Sequence, residues 1–331
     1  MFRKKPIRIN TYLGYGTHKR LRAMGRALEV ENIDFNGNTS IFRTLWNIFK
    51  QFESDKVTHA GIELHLSNGN NTMTSTNSQG YYYFDKEFTK DTIETSPSNW
   101  ISYTVSYHGK QKKEIINDNV FKGEMLIPSK DAEYGIISDI DDTILHTGVA
   151  SLFKWRVITN TFFKNFDKRL PLEGTVNFYK KLQSGKNSLA INPIFYVSNS
   201  PWNLYDYLSA FLKKNNFPKG PVLLRDFRRP FDKIPKPKKQ HKQTEILNLL
   251  NLYPHLRFVL IGDSGEKDAD IYTKIALEYP DRILAIYLRN IHKRKEKRIF
   301  KIINYFKTTP ILLFKTSKEA EEHARKCDLI N

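Results

Sequence analysis

Two acidic clusters have the residue types and spacing for phosphoryl chemistry. Asp139-Ile140-Asp141-Asp142-Thr143 follows the apolar run 134–138. Gly262-Asp263-Ser264-Gly265-Glu266-Lys267-Asp268 follows the apolar run 258–261. Each sets carboxylates where a short apolar strand ends, a geometry suited to a divalent cation and a phosphoryl group. Asp139 and Asp141 are two apart, and a chain that turns away after Asp139 lets both reach one site. One can act as nucleophile while the other transfers protons. Asp263 and Asp268 add hard oxygen ligands, which suit Mg²⁺ better than Zn²⁺. The ion would offset repulsion among the carboxylates and draw in a phosphate oxygen. A single Asp after a strand is usually a helix cap or turn former. Two clusters after two apolar strands are poorly explained that way.

Two further residues could hold the phosphate. Ser198 ends the apolar run 194–197, where a hydroxyl and free backbone N–H groups at a helix start make an anion site. Asn199 or Ser200 could cap that helix, with Pro201 in its first turn. Capping does not require Ser198, which is therefore assigned to phosphate. Lys242 opens a helical stretch after His241 and could neutralise the phosphoryl group and the nucleophile. Among so many neighbouring lysines, however, local sequence alone does not select it.

These residues must be positioned by regular elements. From about residue 131 apolar runs alternate with helical stretches. Strands are expected at 134–138, 194–198, 222–225, 258–261, 283–288 and 311–314. Near-continuous apolar strands are those covered on both faces. Leu204, Tyr207, Leu208, Phe211 and Leu212 share one helix face, and Ile246, Leu247, Leu249 and Leu250 mark another. The pattern predicts an α/β domain over 131–331, a mostly parallel sheet with helices on both faces. Ligands on such sheets bind at the carboxyl ends of the strands, where both acidic clusters fall. Residues 1–130 read differently. Strand signals at 7–13, 62–66, 80–84 and 100–107, broken by Gly and Asn turns, predict a small β-sandwich-like domain. A helix or excursion is expected at 41–52, and Gly14-Tyr15-Gly16 is expected to end the first strand. The sequons at Asn38 and Asn70 read as chance matches.

Composition narrows the setting. The 331 residues carry a formal charge of +18, which suits nucleic acid, an anionic membrane surface or phosphorylated substrates. The charge gathers in two clusters: Arg225, Arg228, Arg229, Lys233, Lys236, Lys238 and Lys239, then Lys293, Arg294, Lys295, Lys297, Arg298 and Lys301. No apolar stretch is long enough to span a bilayer. The basic N-terminus lacks a signal-peptide core, and Cys327 is the single cysteine. A cytoplasmic chain that can meet membranes peripherally is expected. There is no phosphate-binding loop of the Gly-x-x-x-x-Gly-Lys type, no complete dinucleotide fingerprint and no histidine spacing for zinc. A dinucleotide cofactor is not expected.

Asp139-Ile140-Asp141-Asp142-Thr143 resembles the first motif of the haloacid dehalogenase superfamily, with Asp139, Asp141 and Thr143 matching it. Ser198 matches the second motif, Lys242 the third, and Asp263 with Asp268 the acidic fourth. A narrower likeness lies in Ser138-Asp139-Ile140-Asp141-Asp142-Thr143-Ile144, Tyr196-Val197-Ser198-Asn199-Ser200-Pro201-Trp202 and 260–268, joined by His241-Lys242 and Tyr287-Leu288-Arg289. Together these resemble the phosphatidate phosphatase catalytic domain of actin-patch type. The resemblance implies a Rossmann-like catalytic domain and an aspartyl-phosphate mechanism. Asp139 would attack phosphorus. Asp141 would protonate the leaving alcohol and then activate water. Mg²⁺ would be held by Asp139, Asp263 and the Asp141 backbone carbonyl, with Asp268 in direct or indirect support. Ser198 and Lys242 would bind phosphate oxygens, and Thr143 would stabilise the first-motif turn and complete the phosphate-binding group.

The stretches between Asp141 and Ser198, and between Ser198 and Lys242, are too short for a large cap beside the core elements they contain. An open site is expected, suited to a phosphate at a membrane surface. The leading expectation is a Mg²⁺-dependent enzyme that hydrolyses phosphatidate, an anionic phospholipid, to diacylglycerol and phosphate. The alternatives are a phosphatase for protein or nucleic-acid phosphates, or a catalytically weak membrane-binding scaffold.

Overall fold

The computed structural model describes residues 5–30, 55–89, 93, 98–141, 143–144, 174–187, 190–226, 240–265, 267–291 and 293–331. The helix expected at 41–52, the sequon at Asn38, Asp142, Glu266 and the first basic cluster apart from Arg225 lie outside these residues. Two units are distinguished, Met1–Pro128 and Ser129–Asn331.

Alternation of apolar with polar side chains builds the first unit from strands. They are β1 (Ile7–Thr11), β2 (Gly14–Gly16), β3 (Arg20–Glu29), β4 (Gly61–Leu66), β5 (Asn71–Ser75), β6 (Tyr81–Glu87), β7 (Trp100–His108) and β8 (Phe121–Leu126). The sheet runs β1-β3-β2-β8-β7-β4-β5, and β6 also pairs with β3. Its pairs are antiparallel except β2 with β8. One buried cluster joins side chains of β1, β3, β4, β6, β7 and β8, including Leu21, Leu64, Tyr82, Val105 and Phe121. The sheet thus folds over a single core, as a sandwich does. Gly14-Tyr15-Gly16 does not end the first strand's sheet but adds β2 to it. A side chain at Gly14 would sit 2.6 Å from the Arg22 carbonyl oxygen, and one at Gly16 would strike that of Arg20. The glycines are there because β3 passes so close.

The second unit alternates strand and helix. Its strands are β9 (Gly135–Ser138), β10 (Ile194–Pro201), β11 (Val222–Arg225), β12 (Phe258–Asp263), β13 (Ile283–Arg289) and β14 (Ile311–Phe314). Its helices are α1 (Thr175–Ser184), α2 (Tyr205–Lys214), α3 (His241–Leu252), α4 (Asp268–Glu278), α5 (Lys293–Tyr305) and α6 (Ser317–Lys326). All six strands fall where the apolar runs predict them. The order is β11-β10-β9-β12-β13-β14, with every pair parallel. From β9 the chain steps outward to β10 and β11, then returns to place β12 on the other side of β9. The carboxyl ends of β9 and β12 therefore flank the point where the winding reverses, the place where such sheets bind ligands. Helix α2 buries Tyr207, Leu208, Phe211 and Leu212, and α3 buries Ile246, Leu247, Leu249 and Leu250.

The entry to β9 is fixed by one buried amide. Asn192 Oδ1 accepts from the backbone N–H groups of Glu133 at 2.9 Å and Tyr134 at 3.2 Å. Its Nδ2 donates to the Leu182 carbonyl at 3.0 Å. Replacing this amide strands buried backbone groups, each costing about 1–3 kcal/mol. Asn192→Ala is expected to lower unfolding free energy by about 2–4 kcal/mol in denaturant titrations. An unchanged midpoint would contradict this account of how β9 is anchored.

Candidate active site

The peptide after β9 continues its pairing with β12, since the Asp139 N–H donates to the Ile261 carbonyl at 2.8 Å. This holds Asp139 against the end of β12, which carries Asp263. Asp268 begins α4, and its Oδ2 accepts from the Asp263 N–H at 3.3 Å. Gly262 permits that approach, because a side chain there would strike Asp268 Oδ2 and lie 2.8 Å from the Tyr272 ring. The loop between is tied down: Ser264 N–H donates to the Arg289 carbonyl at 2.9 Å, and Ser264 Oγ accepts from Ile291 N–H at 3.1 Å. Asp263 Oδ1 accepts from the Gly265 N–H.

The result is three wholly buried carboxylates. Asp139, Asp263 and Asp268 each offer an oxygen, and these oxygens lie within 4.8 Å of one another. Lys242, the second residue of α3, is equally buried. Its Nζ lies 2.9 Å from Asp139 Oδ1 and 2.7 Å from Asp268 Oδ1. Burial thus selects the one lysine that local sequence could not. Burying like charges together is costly unless cations compensate. Ionised, these three acids exceed Lys242 by two negative charges. An all-oxygen, doubly anionic donor set fits a hard divalent cation.

Asp141 lies on the other side of the nucleophile candidate and is half-buried. Its Oδ2 accepts from Ser198 Oγ at 2.6 Å and from Ser200 Oγ at 3.2 Å. Ser198 Oγ in turn accepts from the Ser200 N–H at 2.9 Å. The expected helix cap is absent here. Strand β10 runs on through Pro201, a single 3₁₀ turn follows at Trp202–Leu204, and no side chain caps it or α2. Ser200 is instead a second hydroxyl on Asp141, a role that its sequence, readable equally as a cap, did not reveal. Thr143 Oγ1 donates to Asp139 Oδ2 at 3.3 Å, and Ile144 N–H donates to the Ile140 carbonyl at 3.0 Å. All seven residues singled out for chemistry thus gather at the strand ends.

Two aromatic residues shape the surroundings. Tyr272 donates to the Ile261 carbonyl at 3.1 Å. Its phenol is pushed well above its ordinary range by burial and by Asp268 nearby. His241 sits at the start of α3, with its ring near the Leu223 carbonyl and the charges of Arg225 and Lys242. Burial first, and those cations second, lower its imidazole to about 4.

These features define a doubly wound α/β unit with a buried carboxylate–lysine centre at its switch point. Residues 134–290 match the profile of the catalytic domain of phosphatidate phosphatase APP1. Over 160 residues the chain is 39% identical to phosphatidate phosphatase APP1 of Saccharomyces cerevisiae, covering 47% of this chain and 25% of the relative. It is 29% identical over 220 residues to an uncharacterized protein of Schizosaccharomyces pombe, covering 66% of this chain and 34% of that one. A solved structure of Bacteroides uniformis beta-glucuronidase 2 aligns with 97% of this chain and 35% of its own at 9% identity and a TM-score of 0.21, which carries no argument. The matched segment is thus similar to the catalytic domain of phosphatidate phosphatase APP1. The chain spans only a quarter to a third of the length of these curated relatives.

His241 supplies a pH dependence. Its folded-state value of about 4 lies below the unfolded value of 6.5, so the unfolded chain takes up the proton first as pH falls. Its contribution is complete above about pH 6.5 and is lost progressively toward pH 4, by up to about 3 kcal/mol. Denaturant titrations across that window are expected to show a decline that His241→Gln reduces. An identical decline in both proteins would contradict the assignment.

Proposed function

We propose that the chain is a metal-dependent phosphatase that hydrolyses phosphatidate to diacylglycerol and phosphate. The observation that carries this reading is the buried Asp139–Asp263–Asp268–Lys242 centre beside a half-buried Asp141. Asp139 is the nucleophile. Its carboxylate attacks phosphorus, and the bond from phosphorus to the leaving alcohol oxygen breaks. Asp141 gives that oxygen its proton. Asp141 then takes a proton from the water that attacks the aspartyl-phosphate, which releases phosphate and restores Asp139.

The donors for the phosphate oxygens are Ser198 Oγ, which rests on Asp141 until substrate arrives, and Lys242 Nζ. Asp268 anchors the lysine by one oxygen and the Asp263 backbone by the other. Thr143 braces the Asp139 carboxylate. Mg²⁺ would be held by Asp139, Asp263 and the Asp141 carbonyl, supported by Asp268, and supplies charge neutralisation and Lewis acidity when bound. The family likeness favours phosphatidate as substrate. The charge of +18 suits an anionic lipid surface. No helix among the described residues is long and apolar enough to cross a membrane.

The test is phosphate release from phosphatidate vesicles, a phosphopeptide and a 3′-phosphorylated oligonucleotide, with Mg²⁺ or with chelator. Lipid turnover is expected in Mg²⁺ and lost in chelator. Asp139→Asn should reduce it by about 10³-fold or more, and Asp141→Asn by about 10²–10⁴-fold. Oligonucleotide turnover without lipid turnover would sink the substrate assignment. Activity surviving Asp139→Asn would sink the nucleophile, and vesicle binding without any turnover would favour a scaffold.

A further inference from the structure

One face of α5 takes no part in the centre described above. Lys297, Lys301 and Tyr305 recur every four residues and so lie along a single helix face. All three are exposed, Tyr305 at 90%, and Phe300 beside them is exposed at 46%. The opposite face buries Ile299. The helix's other described charges are engaged: Arg298 with Asp270, and Glu296 with Lys315 at 3.7 Å. Among the described residues, no carboxylate pairs with Lys297 or Lys301.

The placement of this face matters. Helix α5 follows β13, whose last residue Arg289 is in register with Asp263. Lys295 donates to the Gly265 carbonyl in the Asp263 loop, and Glu296 meets Lys315 just past β14. The first turn of α5 therefore borders the same sheet edge as the carboxylate centre. From there the lysine row runs down the flank of the unit.

We propose that this face of α5 rests on an anionic phospholipid bilayer and holds the rim of the catalytic centre against it. The lysines meet head-group phosphates while their stems and the rings of Phe300 and Tyr305 lie in the interfacial layer. A straight helix face bearing lysines flanked by rings matches a planar interface. Charge alone would also suit RNA, but the adjoining centre is read as acting on a lipid head group. The proposal rests on that reading only for the choice of bilayer over RNA.

The experiment measures co-sedimentation of the full chain with phosphatidylcholine vesicles, with and without phosphatidylserine. Hydrolysis of p-nitrophenyl phosphate is followed alongside. Binding is expected only with phosphatidylserine, weakening as salt rises. The double variant K297E/K301E should reduce it about tenfold or more, since each lysine contributes about a fivefold factor and reversal adds repulsion. Phe300→Ser with Tyr305→Ser should weaken binding several-fold at fixed salt. Both variants should hydrolyse p-nitrophenyl phosphate at the parent rate, which shows that they fold. Parent-like vesicle binding by both variants would overturn the proposal, as would a parent that binds neither kind of vesicle. If binding depends on α5 but phosphatidate is not hydrolysed, the docking surface stands and the substrate reading falls.

Discussion

Three carboxylates share a space closed to water, with one ammonium between two of them. Asp139, Asp263 and Asp268 are fully buried, and Lys242 reaches two of them at hydrogen-bond distance. Like charges in a poorly polarisable interior repel strongly, and the chain offsets this with geometry. Backbone N–H groups of Asp263 and Gly265, the Thr143 hydroxyl and the Lys242 ammonium all point at carboxylate oxygens. On the proposed reading, the remaining negative excess would make the centre a receptor for a hard cation and for the phosphoryl group that such a cation attracts. Ionised, the cluster would thus hold unfavourable charge at the place where the proposed reaction uses it.

The rest of the second unit serves that cluster. Parallel strands bring Asp139 and Asp263 side by side only because β12 returns next to β9. Helix α4 starts on Asp268 and α3 delivers Lys242, so two helix starts converge on two strand ends. Gly262 gives Asp268 room, and the Ser264 hydrogen bonds lock the loop to the end of β13. On the far side, two serines hold Asp141 at the end of β10. The proposed nucleophile, Asp139, and the proposed proton carrier, Asp141, are therefore held by contacts to different strands, which lets each sit in a different environment. One is buried against a lysine and the other half-exposed on hydroxyls, the kind of separation that divides acid from base work.

Much of this was legible in the sequence, for physical reasons. Strands buried on both faces read as unbroken apolar runs, and 258–261 or 222–225 can hardly be anything else. Carboxylates that end such runs are conspicuous because turns usually need only one. Lys242 was legible only through the motif resemblance and not from local sequence, since its burial depends on α3 packing against β10 and α4 and on reaching Asp139 and Asp268, contacts far apart in sequence. Ser200 misled for a related reason: a serine before a helix reads as a cap, while here the strand runs past it. In the first unit, β3 escaped notice because its alternating inward residues are Leu21, Ala23, Gly25 and Ala27, mostly small, which gives a weak alternating signal. Gly14 and Gly16 read as a stop, yet they mark close passage of a neighbouring strand.

The central claim is that Asp139 carries the phosphoryl group between substrate and water. Borohydride reduction of the acid-quenched enzyme, taken during turnover of phosphatidate in Mg²⁺, tests it directly. An aspartyl-phosphate is converted to homoserine, which peptide mass mapping locates. The account predicts homoserine at position 139 and at no other acidic residue. Turnover with Asp139 unconverted, or conversion at Asp141 or Asp263 instead, would contradict it.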